Sequence, residues 1–514
     1  MNHAVILPVL VPALAAVLMV LAGEARPRLQ RALAAASCAA LAVLALGAVQ
    51  HTGSGAIEVY RLGDWPAPFG IALVLDRLAA LMLALTAAVA IATLAAATTG
   101  PEPWDRRGRF FHAFFQFQLM GLNGAFLTGD LFNLFVFFEV LLVASYCLLL
   151  HGRGTERLRA GFHYVAVNLA ASALFLLGIA ALYAVTGTLN LADLALAVSR
   201  LAPADVPIAR AAALVLLAVF GVKAAVFPLY LWLPRTYTAA APPVAALFAI
   251  MTKVGVYAIL RVHGLVFGPD AGASALVAGP WLLAGAVATV ALGAVGAFAA
   301  ASLAGMAAYL TVASVGTLLV GVAVFSAASV GAALYYLLHS TLALAALFLL
   351  AERIAAQRGG DGFEPRSPVA QPAVLGGALV LAAVSVSGLP PLAGFVGKLA
   401  LLQATGGLAA APVLWAVLLA AGLGATIALA RAGSALFWKT AAAGAPPERA
   451  SFASLAPMAG LLAASVALAV FAAPVKRYTD ATARQLADWR LYGPKVLRES
   501  GPRSARPYPP GDRR

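Results

Sequence analysis

Polar residues interrupt this chain at intervals, and between the interruptions the sequence runs apolar for about 20 residues at a time, as far as position 473 or so. As an α-helix, a run of that length covers the roughly 30 Å hydrocarbon layer of a bilayer. Fourteen runs are present, at 3–22, 29–49, 71–97, 110–128, 131–150, 161–187, 210–235, 240–262, 276–299, 302–325, 330–352, 372–403, 410–435 and 453–473. The pattern predicts an all-α polytopic membrane protein with about 14 transmembrane helices, because a closed β-barrel needs short alternating segments instead. The longest runs exceed one bilayer thickness and are expected to tilt or break. The first run lacks a basic start and a small-residue cleavage site, so it reads as a retained helix with no soluble domain ahead of it.

With 514 residues, 63% of them hydrophobic and 11% charged, the chain is too apolar for a soluble domain. All seven tryptophans fall near span ends or in the tail, where an interfacial belt places them. Cys38 and Cys147 lie inside predicted helices without metal-ligand spacing, so packing is expected of them, and neither a metal nor a cofactor is called for. The net charge of +14 would suggest nucleic acid as the partner of a soluble protein; here no nucleic acid is expected and the charge records orientation in the lipid bilayer. One alternating set of loops carries sixteen Lys and Arg residues and the other five, which puts the first set in the cytoplasm and the N-terminus outside. Fourteen spans then put the tail outside as well, although residues 476–514 hold ten basic and four acidic residues. That tail is read as an exported exception, its segment 475–492 being either an interfacial helix or unstructured.

The loops and the tail account for all but three of the 34 basic residues. Lys223, Lys253 and Lys398 sit well inside apolar spans, where a charge costs about 2.5–3.5 kcal/mol on insertion scales. Lys223 and Lys253 flank the turn at 235–240 at nearly equal spacing, which gives them one depth on adjacent antiparallel helices. Glu139 is the acidic residue that lies comparably deep, Asp130 reads as a helix cap, and His339 is the histidine at the centre of a span. A structural reading pairs Glu139 with one lysine and lets the others snorkel. A functional reading makes the five groups a proton path, in which a movable carboxylate switches the charge of a buried lysine.

Pro228 and Pro234 follow Lys223, and the run SVSGLPPLAGFVGK precedes Lys398, so both helices are expected to break inside the membrane. Each break falls in the fourth of five spans, in blocks 110–262 and 263–435. An odd number of spans per block makes the two blocks inverted repeats. The remaining segments are 1–109, with three helices, a final helix in 436–474, and the basic tail 475–514.

The stretches TGDLFNLFVFFEVLLVASYCLL, KAAVFPLYLWLPRTYTAAAPPVAALFAIMTKVGVYAILR and SGLPPLAGFVGKLALLQA resemble the D subunits of Mrp-type multisubunit Na+/H+ antiporters, within the superfamily that includes antiporter-like subunits of respiratory complex I and membrane-bound hydrogenases. The resemblance extends to about residue 473. It implies that Glu139, Lys223 and Lys253 serve one half-channel and His339 and Lys398 the other, with Glu139 modulating Lys223 as an ion pair and Lys253 relaying laterally. It also implies a secondary transporter subunit of the cytoplasmic membrane, not an enzyme, that works with other Mrp antiporter subunits and moves protons against Na+. Arg235 departs from the acidic residue the family often has after that proline. Two other readings stand beside this one: a proton-pumping subunit of a redox complex, and a transporter binding an anionic solute at the broken helices.

Overall fold

The computed structural model describes residues 3–65, 70–100, 102–152, 154–441 and 449–497. Arg153, counted above among the loop cations, and the tail from 498 onward lie outside the described residues. Among the described residues eleven helices are long and apolar enough to cross a membrane, and Leu7–Ala22 and Pro372–Ser387 are shorter apolar helices. Two spans, Pro242–Val266 and Ala327–Arg358, are buried along their apolar stretches and pack on each other at the centre. Lys253 and His339 are carried by this pair.

The all-α expectation needs one correction. Glu58–Arg61 and Ala72–Leu75 form an antiparallel hairpin, with Glu58 opposite Leu75. Val59 and Tyr60 in EVYR and Val74 in ALVL are residue types that suit a pleated ribbon, and each segment is too short for the helical period to show.

Side-chain contacts sort the loops onto two faces. On one, His3 meets the ring of Tyr60 in the hairpin, Arg61 donates to the Val496 carbonyl, and Trp489 donates to the Ala192 carbonyl. On the other, Arg31 pairs with Asp105 at 2.6 Å, Trp104 donates to Glu352, and Arg157 donates to the Ala239 carbonyl. Burial pushes the Asp105 carboxyl up, but the His112 and Arg31 contacts outweigh it and hold the group at about 2. The first face is the one poor in basic loop residues, and it carries both the N-terminal segment and the tail helices.

The described part of the tail, to Leu497, is helical and packed against the bundle. Ala472–Ala487 packs on Ala327–Arg358 and Arg77–Thr98, burying Thr479, Thr482, Ala483 and Leu486, and Trp489–Leu497 packs on the short helix Leu191–Ser199. Arg261, one of the five basic residues that the sequence pattern gives to the poorer set of loops, is 1% exposed and grips Asp76 through two bonds of 2.6 and 2.7 Å. Its position near the end of an apolar run looks like a loop anchor in sequence. The helix in fact runs on to Val266, past the block boundary drawn at 262.

Candidate functional site

Both expected breaks are present, and both close in the same way. Val206–Ala224 ends where Ala225 turns left-handed at φ 60°, with Ala225 N–H donating to Val222 O and Val226 N–H to Gly221 O. Pro372–Ser387 ends at Gly388, φ 80°, with Gly388 N–H donating to Ser385 O and Leu389 N–H to Val384 O. These are paired six-to-one and five-to-two closures, which satisfy carbonyls that a helix end would otherwise leave bare. The chain resumes as Trp232–Ala239 in the first case and Ala393–Thr405 in the second. Pro234 therefore sits in the first turn of the resumed helix, where proline is tolerated, and does not break it.

Protein groups also satisfy the backbone within the first break. Phe227 N–H donates to Thr289 Oγ1 at 2.8 Å, and the Trp232 indole N–H donates to Val222 O at 3.0 Å. Such cover is what irregular backbone needs at membrane depth.

Lys223, the next-to-last residue of its fragment, is 5% exposed. Its Nζ donates to Asn168 Oδ1 at 3.3 Å and to Ser172 Oγ at 3.5 Å, and it lies 5.8 Å from the centre of the Phe138 ring. Ser172 in turn donates to Glu139 Oε1. The direct Glu139–Lys223 ion pair expected from sequence is thus replaced by a one-serine bridge. Glu139 itself is half-buried. Asn168 and Ser172 both project from Thr155–Thr186, one turn apart, which aims them at the same ammonium.

Lys253 is fully buried and donates to Thr252 Oγ1 at 3.3 Å. Two residues on, Gly255 lies against the backbone of Ala224, and a methyl built at Gly255 would stand 2.5 Å from Ala224 N. The contact brings the Lys223 and Lys253 helices together.

In the second half His339 Nδ1 is 3.3 Å from Ser465 Oγ and 3.5 Å from Ser385 Oγ, and the two serines are 3.1 Å apart. Lys398, half-buried, donates to the Ser387 carbonyl at 2.7 Å and the Val386 carbonyl at 3.4 Å. Those are the last two carbonyls of the broken helix, the ones its backbone closure leaves over. A cavity of about 30 Å³ lies against Ser314, Thr317, Tyr336, His339, Ser340 and Lys398, room enough for water. Gly388 is required here twice, by its left-handed backbone and because a methyl would press on the Lys398 side chain.

The structure thus brings Glu139 and Lys223 to one centre with Lys253 on the adjoining helix, and His339 and Lys398 to a second centre around one cavity. Asn168, Ser172, Ser385 and Ser465 complete these centres. They escape a search for buried charge because neutral polar residues inside apolar runs give no charge signal. The spacing of Asn168 and Ser172, four residues apart on one helix, is the clue the sequence holds, and Ser385 and Ser465, 80 residues apart, have none. Among the described residues no group of three or more His, Cys, Asp or Glu is arranged to hold a metal ion.

Residues 128–427 match the family model described as NADH:quinone oxidoreductase/Mrp antiporter, transmembrane. The chain is 41% identical to the D subunit of a probable K+/H+ antiporter of Rhizobium meliloti, over 98% of this chain and 99% of that one. It is 40% identical to the D subunit of the Na+/H+ antiporter of Bacillus subtilis, over 77% of this chain and 80% of that one. Its fold superposes on a chain in the structure of the Mrp complex from Dietzia sp. with a TM-score of 0.85 and 29% identity, covering 97% of this chain and 100% of that one.

Proposed function

This chain belongs to the NADH:quinone oxidoreductase/Mrp antiporter transmembrane family, and from that premise we propose that it is the proton-conducting subunit of a multisubunit monovalent cation/proton antiporter in the cytoplasmic membrane. Similar chains are named for K+ in one case and Na+ in another, so the substrate class is a monovalent cation with Na+ and K+ as candidates. The reading of a redox-driven pump has less support, since both of these relatives are named as antiporter subunits.

Fourteen crossings result when the helix Phe111–Leu127 is added to the eleven long spans and the two shorter apolar helices, with each broken pair counted once, Val206–Ala224 with Trp232–Ala239 and Pro372–Ser387 with Ala393–Thr405. The even number fits the meeting of the N-terminal segment, the hairpin and the tail helices on one face. The two blocks 110–262 and 263–435 act as inverted repeats, the joint between them shifted to the loop after Val266. Segments 1–109, 436–474 and 475–514 frame them.

The observation that carries the proton reading is the buried array Lys223–Ser172–Glu139 beside a helix break. A proton on Lys223 is stabilised by the carboxylate one hydroxyl away, and a shift of Glu139 away from Ser172 withdraws that support and releases it. Lys253, on the adjoining helix, receives the proton laterally, and His339 and Lys398 pass it on through the cavity of the second half. Moving one charge across 100 mV takes about 2.3 kcal/mol, within the range a buried charge contact supplies when made or broken. Vesicles containing the whole complex test the reading: added Na+ or K+ collapses a preset ΔpH when this chain is present and fails to when it is deleted. Proton movement that needs an electron donor and ignores both cations would point to the redox reading.

A further inference from the structure

His263 takes no part in either centre, yet its surroundings are unusual. It is 1% exposed, and among the described residues neither ring nitrogen has a hydrogen-bond partner. A buried polar atom left bare is costly, and native proteins relieve it with ordered water.

Its position is equally specific. The segment Leu260–Val266 winds as a π-helix, a form found mostly as local bulges at functional sites. The imidazole meets Phe220 edge-on, centroids 6.3 Å apart, and Phe220 lies one helical turn before Lys223. Away from Lys223, the π segment packs on the short helix Leu191–Ser199, whose Ala192 carbonyl holds the tail residue Trp489. That helix belongs to the face poor in basic loops. Two more buried hydroxyls without partners among the described residues border it: Thr188 Oγ1, just before its start, and Ser274 Oγ, on the turn Gly272–Ser274 that packs against it. Buried polar atoms without partners among the described residues thus lie at His263 and again on both sides of the helix Leu191–Ser199 that packs on its π segment.

We propose that His263 is a proton-transfer residue linking Lys223 to the face that carries the tail, through ordered water beneath Leu191–Ser199. The inference rests on the antiporter reading above. In the transfer, the Lys223 ammonium gives its proton by way of water to one ring nitrogen and becomes the neutral amine. The imidazolium then loses the proton on its other nitrogen to water on the Thr188 and Ser274 side, so one proton moves and no other bond changes.

The alternative is a core histidine wedged between Phe220 and Phe267, and phenylalanine separates the two. His263→Phe fills the same space and removes both bare nitrogens, so a core role leaves stability and antiport unchanged or improved. The proposal expects His263→Phe in the assembled complex to lower cation-dependent ΔpH collapse at least about tenfold. His263→Gln, which bonds water without taking up a proton, is expected to do the same, and it decides alone if the phenylalanine variant fails to assemble. Full antiport in the deciding variant overturns the proposal. Lys223→Ala measured in parallel shows which reading has failed: if it alone is inactive, the link through His263 falls and the antiporter mechanism stands. If it too is fully active, both fall. Inactive His263 variants beside an active Lys223→Ala would also overturn the link.

Discussion

The two helix breaks share a backbone design and differ in what their lysines do. Each ends in a left-handed residue with the same pair of closing hydrogen bonds. In the first, the Trp232 indole serves the freed backbone at Val222 O, and the Lys223 ammonium turns to side chains, with a carboxylate one serine away. In the second, the Lys398 ammonium itself caps the last carbonyls of the helix, and a histidine and a cavity lie beside it, with no carboxylate among its hydrogen-bond partners in the described residues. A lysine held by fixed carbonyl dipoles has a constant environment. One held through a serine to a carboxylate has an environment that moves with that carboxylate. On the proposed reading the first centre is the one that switches and the second the one that passes protons on.

The comparison breaks most severely at the glycines that let each centre close. A methyl at Gly394 would run into the Ser385 carbonyl, and one at Gly255 into the Ala224 backbone. Gly394→Ala and Gly255→Ala should each cost about 3 kcal/mol, the upper end of overpacking, seen as a lowered unfolding midpoint of the purified complex. Glu139→Ala removes the movable charge and should reduce antiport about 100-fold, or about 2.7 kcal/mol of barrier. Ser172→Ala leaves both charges and removes their bridge. An activity about tenfold lower is expected, and activity equal to the parent would mean that Glu139 acts on Lys223 without the serine. The smallest effect concerns Ala225, which holds at φ 60° the place that Gly388 fills in the second half. Ala225→Gly should stabilise the fold by up to about 1 kcal/mol, and a fall in the unfolding midpoint would show that the alanine methyl packs usefully.

Much of this was legible in the sequence because bilayer physics leaves strong marks. A lysine inside twenty apolar residues is conspicuous, and Lys223, Lys253 and Lys398 emerge once the loop charges are set aside. The breaks announce themselves through Pro228 and through the Gly388–Pro391 run. What the sequence hid was partnership. Ser172 and Asn168 look like ordinary small polar residues, and only the packing of Thr155–Thr186 on Val206–Ala224 makes them ligands of an ammonium. Arg261 resembled a loop anchor because its partner Asp76 lies 185 residues away. His263 was hidden by standing near the end of its run, where a histidine ordinarily meets water. The tail helices, too polar to read as spans, owe their place to tertiary contacts such as Gln485 with the Gly55 carbonyl and the Arg77 amide.

The central claim is that the charge on Lys223 is switched in transport and is not an architectural remnant. Its most direct test is cation-dependent ΔpH in vesicles carrying the whole complex, comparing the parent chain with Lys223→Ala at matched expression and assembly. Loss of antiport with normal assembly is the predicted result. Antiport at the parent rate would contradict the account, because a chain that transports without that ammonium has no use for the serine bridge to Glu139.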